Sequence, residues 1–306
     1  MKSNLPNKEF RQLVPKLREK SFYKSQEKRK INWHKYNFAQ INEAKLLIEI
    51  KKLVNSCVQI KFSKVGRPLT NPKELTKAIL VAELLNLPER QTEGFIEILA
   101  KTLGIHSHLD DRVIGNAYNR LEILFILKEV FEKTKTSDGN LMGDGTGLET
   151  SRKQNYENEK KKTENYLVSI VDSREIVQAF EMDNNERRAM KKIIEDVKGN
   201  SLRLDAGFVD RELTSKIAEL GMKPLIFPKK NVDINGRIAW RAMYLELFYE
   251  TQEWLKEYHQ RSHSESFHSS FKRKNKPLMK INDVSKLTQL TARIIIHNLR
   301  KRLCYG

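Results

Sequence analysis

The chain has 306 residues, 39% of them hydrophobic, and carries a formal net charge of +18 with a pI of about 9.7. So basic a balance points to a polyanionic partner, nucleic acid first and an anionic membrane surface second, although no lipidation signal or long amphipathic basic helix supports the latter. No apolar run approaches the ~20 residues of a membrane span, no secretory h-region follows Met1, and Cys57 and Cys304 are too far apart in sequence for a disulfide framework or a zinc knuckle, so the expected location is the cytoplasm, at the nucleoid.

Residues 1–35 hold eleven Lys or Arg against Glu9, Glu19 and Glu27, with few apolar residues. They read as a solvated, disordered arm that can track DNA phosphates. A helical pattern runs from about residue 38 to Val54. Lys64-Val65-Gly66-Arg67-Pro68 reads as a turn or loop. Asn71-Pro72-Lys73-Glu74 reads as a helix start, Pro88 opens another helix that Gly104 can close, and Asp110 or Asp111 begins a third carrying Ile114, Tyr118, Leu121 and Leu124. Short helices with a basic loop resemble a helix-turn-helix module, as would any small helical bundle.

Polar, turn-rich residues 136–140 mark a change of texture. A short strand ending at Asp144 follows, then two β-rich runs at 166–172 and 175–181 joined as a hairpin through Ser173-Arg174. The charged run Arg152–Lys162 reads as a solvated loop. A helix is expected over Asn185–Val197, a strand over 201–205, a helix over 210–220, a strand over 223–227, and long helices over 237–271 and 283–302. The fold class is therefore α/β: a mixed sheet with flanking helices, preceded by an all-α N-terminal domain. The expected domains are 1–136, a basic arm with helical DNA-binding domain, and 137–306.

Asp144 and Asp205 each stand at the end of a predicted strand, where neighbouring strand ends of an open sheet form a ligand crevice. Asp144-Gly145 is also a common turn dipeptide, and Asp205 can cap Ala206-Gly207-Phe208. On one continuous helix, Tyr258, Arg261, Glu265 and Lys272 fall within an arc of about 60°, with Phe267 and Phe271 roughly opposite as anchors. Arg261 and Glu265 also form an ordinary i,i+4 pair. Three carboxylates meeting at one point repel unless cations separate them, and hard oxygen donors favour Mg²⁺ or Mn²⁺. Two such ions can activate an attacking oxygen and stabilise a leaving one on phosphate.

These residues resemble bacterial and archaeal insertion-sequence transposases of the DDE type. Asp144-Gly145-Thr146 is similar to that family's first-aspartate strand, and Leu204-Asp205-Ala206-Gly207-Phe208-Val209-Asp210 to its second. Tyr258, Arg261, Glu265 and Lys272 match its Tyr-Arg-Glu-Lys signature in full spacing, and Ile296-His297-Asn298-Leu299 its closing helix. The acidic residue lies one position later than in many relatives, which leaves Asp210 a poor competitor to Asp205. The resemblance covers about residues 65–306. It implies a ribonuclease-H-like mixed five-stranded sheet in 137–306, with Asp144, Asp205 and Glu265 as catalytic residues holding two Mg²⁺ ions, for which Mn²⁺ substitutes. Arg261 and Lys272 would bind DNA phosphates and Tyr258 the backbone or terminal nucleotide, while His263 and His268 would be polar residues on the helix surface. Double-stranded DNA, as element ends and target, is the implied partner of a homodimer. A structure-selective nuclease or resolvase with the same core, or a transposase-derived protein that only binds DNA, would share much of this pattern. RNA binding ranks last, for no paired aromatic platform is visible.

Overall fold

The structure, a computed structural model, describes residues 5–19, 22–23, 32–60, 70–149 and 165–305. The Gly66-Arg67-Pro68 loop and the Arg152–Lys162 run lie outside these. The chain forms two compact units that interleave in sequence. One comprises residues 1–31, 136–147 and 165–269; the other comprises 32–135, 148–164 and 270–306.

The first unit is built on a five-stranded sheet in the order β3-β2-β1-β4-β5, with β1 at Asn140–Leu148, β2 at Asn165–Asp172, β3 at Val177–Asp183, β4 at Ser201–Leu204 and β5 at Lys223–Ile226. β2 and β3 form the expected antiparallel hairpin, from Tyr166 opposite Asp183 to Val171 opposite Val177. Its turn is longer than Ser173-Arg174, for Glu175 takes a left-handed φ of 64° there. β4 runs parallel to both β1 and β5. Parallel neighbours need crossover connections, and helices supply them. Helix Glu186–Ile193, capped by Asn185, precedes β4, and helix Arg211–Glu219, capped by Asp210, leads to β5. Leu141, Val168, Ile170, Leu202 and Leu204 of the sheet are buried with Ala189, Met190, Ile193, Leu213 and Ile217 of these helices.

Two expectations are corrected in this unit. The N-terminal arm is not wholly a solvated coil: Asn7–Lys16 is a helix, α1, whose Phe10 and Val14 are fully buried in the sheet unit's core. Their i,i+4 spacing puts both on one face, which suffices for docking in an otherwise polar segment. Phe10 packs on Tyr244, ring centroids 5.3 Å apart, and Asn7 accepts a hydrogen bond from the Ile234 amide at 2.8 Å. The long helix expected over 237–271 is broken. It becomes helices Ile238–Tyr249 and Thr251–Tyr258, a 3₁₀ turn at His259–Arg261, and helix Ser262–Lys274. Glu250, with ψ of 41°, makes the first break.

The second unit is helical: α2 (Trp33–Ile41), α3 (Glu43–Asn55), α4 (Pro72–Leu85) and α7 (Leu121–Thr134) pack on the C-terminal helix Asp283–Tyr305, and α5 (Glu89–Leu103) and α6 (Asp111–Ala117) pack on α4. Numbered on in chain order, the later helices are α8 (Glu186–Ile193), α9 (Arg211–Glu219), α10 (Ile238–Tyr249), α11 (Thr251–Tyr258), α12 (Ser262–Lys274) and α13 (Asp283–Tyr305). The capping signals act where expected: Asn71 accepts from Lys73, Asp110 from Val113, and Gly104 takes φ of 63° after α5. The single helix expected from Asp111 through Leu124 is two, because the chain turns through Tyr118–Arg120 on i,i+3 hydrogen bonds. α4 and α13 are buried almost all round. Buried polar groups link them: the Glu83 carboxylate accepts from Tyr118 at 2.8 Å, Gln289 at 2.9 Å and Arg293 at 2.6 Å.

Candidate active site

The β1–β4 register positions the two aspartates. Met142 lies opposite Arg203, and two residues further along each strand come Asp144 and Asp205. Strand side chains alternate, so both continue on one face of neighbouring strands ~4.8 Å apart. Asp144 is not at the end of its strand, as the sequence suggests; β1 continues to Leu148, and it is the β1–β4 pairing that stops short of Asp144. Asp205 follows β4 directly and caps the turn Ala206–Phe208, its Oδ1 accepting from the Gly207 amide at 2.6 Å. Asp210 is committed elsewhere, accepting from the Glu212 and Leu213 amides at the start of α9.

Arg261 reaches this point from the 3₁₀ turn. Its Nη1 lies 3.7 Å from Asp144 Oδ2, and its Nη2 donates to Glu265 Oε1 in the first turn of α12. Burial works against the guanidinium's charge, but Tyr258, Glu265, Asp144 and Asp205 together hold its pKa above the ordinary value. Arg261 is therefore the positive centre among these carboxylates. Glu265 is more than half exposed, whereas Arg261 and Asp144 are each only 17% exposed.

Tyr258 is buried at the end of α11. Its ring stacks on Trp254 with centroids 5.1 Å apart and packs on Phe227 at 5.2 Å. Burial raises its pKa well above the ordinary tyrosine value, while the positive charge of Arg261 works in the opposite direction. The helix break puts Tyr258 on α11 and Glu265 and Lys272 on α12. Lys272 is exposed two turns beyond Glu265 on α12, in the part of that helix that belongs to the helical unit.

His268 was expected on the helix surface and is instead buried. Its Nε2 shares a 2.9 Å hydrogen bond with Ser169 Oγ of β2, and its Nδ1 lies 3.6 Å from Asp144 Oδ2. Arg261, Glu265, His268 and Lys272 are spaced by four, three and four residues, so the signal for His268 was its phase with the others. A further carboxylate, that of Glu186 at the start of α8, lies beside Gly145.

A comparison with known protein families matches residues 141–299, more than half of the chain, to the Transposase DDE domain. The chain belongs to that family. The match begins in β1, three residues before Asp144, and ends in α13, so it takes in Asp144, Asp205, Tyr258, Arg261, Glu265 and Lys272. The sheet, its flanking helices and the helical N-terminal region are the ribonuclease-H-like fold of a DDE transposase. Comparison with curated proteins and with solved structures gave no match. No helix among the described residues is long and apolar enough to cross a membrane.

Transposases act on DNA, and DDE domains generally use divalent metal ions. The donor chemistry here fits such an ion, for Asp144, Asp205 and Glu265 offer only hard carboxylate oxygens. Among the described residues, no three His, Cys, Asp or Glu side chains are gathered closely enough to hold a metal. The Arg261 guanidinium lies against both Asp144 and Glu265.

Proposed function

We propose that this transposase cuts DNA at the ends of its insertion sequence and joins the released 3′ ends to target DNA. The observation that carries the reading is Arg261, which lies 3.7 Å from Asp144 and holds Glu265, beside the parallel β1–β4 pair whose next residues are Asp144 and Asp205. Asp144, Asp205 and Glu265 would hold two Mg²⁺ ions, with Mn²⁺ able to substitute, and the metal supplies Lewis-acid activation of the attacking oxygen and stabilisation of the leaving one.

In the first step a water oxygen forms a bond to phosphorus, and the bond from phosphorus to the 3′ oxygen breaks, leaving a 3′-hydroxyl and a 5′-phosphate. In the second, that hydroxyl oxygen attacks a target phosphodiester and displaces its 3′ oxygen. Both are in-line displacements that need no covalent protein intermediate. Arg261 is placed to exchange a carboxylate for a phosphate oxygen, a bidentate contact suited to guanidinium. Tyr258, buried and stacked on Trp254, supports the turn that carries Arg261. Lys272 takes a phosphate further along the strand. The basic N-terminal region recognises the element's ends, and two copies of the chain, at the nucleoid, hold the two ends together.

The test uses full-length protein and a plasmid carrying the coding region with its native flanks. Glu265→Gln keeps shape and removes charge, so it should fold as wild type and cut roughly a hundredfold more slowly or worse. Asp144→Asn and Asp205→Asn should do the same. Wild-type cutting by the Gln variant would remove Glu265 from the site.

A further inference from the structure

The N-terminal segment ends against the turn that carries Arg261. α1 is fastened to the sheet unit at several points. Phe10 and Val14 are buried in its core, Asn7 accepts from the Ile234 amide, and Arg11 lies 3.7 Å from Asp233. Past the end of α1, Arg18 donates from Nη2 to the Pro228 carbonyl at 2.8 Å, and its guanidinium stands over the Phe227 ring, 5.3 Å from the centroid. Further on, the Tyr23 ring lies flat on His259, with centroids 4.5 Å apart and planes 5° from parallel. All these residues belong to one compact unit.

Both contacts lead to Tyr258. Phe227 packs on its ring, and His259 meets the same ring edge-on at 5.9 Å. Arg18, Phe227, Tyr258, His259 and Tyr23 therefore form a circuit that starts and finishes on the N-terminal segment. His259 opens the 3₁₀ turn that Arg261 ends, and its carbonyl accepts from the Ser262 amide. Hydrogen bonds of this i,i+3 kind have poorer geometry than those of an α-helix, so side-chain contacts matter more to the shape of the turn. Arg203 of β4, almost fully buried, donates to the Glu257 carbonyl at 2.7 Å and holds the chain just before the turn. Within the turn, it is the Tyr23 ring that covers His259. His259 is exposed and Tyr23 only partly buried, so their stack adds little to the core; what it constrains is the turn.

We propose that Tyr23 is a positioning residue for the reaction: its stack on His259 fixes the turn from which Arg261 reaches Asp144 and Glu265. This rests on the reading of Arg261 as a contact to the DNA phosphate. Tyr23 acts through Arg261 and makes no contact of its own with DNA. The N-terminal segment then takes part in the chemistry as well as in recognition of the ends.

The experiment measures cutting by the full-length protein of a plasmid carrying the coding region with its native flanks, at saturating DNA and Mg²⁺, and records the thermal melting of each variant. Tyr23→Ala and His259→Ala should each cut about three- to tenfold more slowly, the contribution of one aromatic pair, and should melt as wild type. Tyr23→Phe, which keeps the ring, should cut within about twofold of wild type. In the Arg261→Met background, Tyr23→Ala should cause no further loss, because changes that act through one residue are not additive. Wild-type cutting by Tyr23→Ala and His259→Ala, beside a slow Arg261→Met, would overturn the positioning and leave Arg261 on its phosphate. A Tyr23→Ala loss repeated in full in the Arg261→Met background would give Tyr23 a contact of its own with DNA and also overturn it. So would a Tyr23→Phe as slow as Tyr23→Ala. A slow Tyr23→Ala that melts lower, with His259→Ala cutting as wild type, would assign Tyr23 to stability and overturn it too. Wild-type cutting by Arg261→Met would overturn the phosphate contact and the positioning together.

Discussion

Replacing Arg261 with Met separates its two electrostatic roles. The guanidinium stands 3.7 Å from Asp144 and also holds Glu265. Two unit charges about 4 Å apart interact by about 1 kcal/mol in water and about 4 kcal/mol at the effective dielectric of a protein surface. Glu265 is largely exposed, so its pair contributes ~1 kcal/mol at most. Removing a competing cation therefore favours another cation by at least about 1 kcal/mol, which is about fivefold in affinity. Arg261→Met should bind Mn²⁺ about fivefold more tightly than wild type. It should nevertheless cut DNA roughly a hundredfold more slowly, having lost a donor to the phosphate. A Mn²⁺ titration and a plasmid-nicking assay on the same preparation give both numbers. Mn²⁺ affinity that stays level or falls would refute the placement of Arg261 as the charge that metal displaces. Undiminished cutting would refute its contact with phosphate.

Lys272→Ala should leave Mn²⁺ affinity unchanged and slow strand joining, measured with a pre-cut end; lost Mn²⁺ binding in a folded variant would contradict its role on phosphate. Arg293→Met should destabilise the helical unit by about 3–5 kcal/mol, because it strands the buried Glu83 carboxylate; calorimetric melting checks this, and a loss below about 1 kcal/mol would refute it. Asp183→Asn should show a pH-dependent cost. Arg188 chiefly, with Lys192 and the Asn185 amide, holds the Asp183 carboxyl well below its ordinary range. A depressed pKa contributes stability that is full above the unfolded value of about 3.9 and is lost as pH falls through the folded one. The melting-temperature difference from wild type should thus be constant from neutral pH to about pH 5 and shrink in acid. A difference that does not change with pH would refute the linkage.

Features set by local chemistry were legible in the sequence. Asn71, Asp110 and Asn185 cap helices because their side-chain oxygens meet free amides, and Gly104 closes α5 because it tolerates a left-handed turn. The hairpin, strand succession and crossover helices followed from alternation and turn residues. What depends on distant partners was not legible. Phe10 and Val14 read as isolated in a basic arm because their partners, Tyr244 among them, lie more than two hundred residues away. The break at His259–Arg261 was hidden because the apolar pattern runs on through Tyr258. α13 gathers with α2–α7 although it follows the sheet in sequence. Arg261 and Glu265 were found by spacing and Asp144 and Asp205 as strand ends, and the Arg261 guanidinium lies against Asp144 and Glu265. His268 was in phase but read as surface, since a histidine on a polar helix carries no sign of the serine that buries it.

On the reading proposed above, the site's charge makes DNA and metal interdependent. Asp144, Asp205 and Glu265 bring three carboxylates toward a point where the phosphodiester, itself an anion, must also arrive. Arg261 alone cannot offset them, and it cannot serve a carboxylate and a phosphate fully at once. When phosphate draws Arg261 away, Asp144 and Glu265 lose their counter-ion, and a divalent cation becomes the group that can restore it. When a cation binds first, Arg261 is released for phosphate. Each ligand thus raises the affinity for the other by the same factor, as linkage requires. The large positive charge of the chain draws DNA in over a distance, but the acids at the site admit it only with a cation present. A site without Arg261 would hold metal regardless of DNA. The guanidinium in its tight turn is what ties the two binding events together.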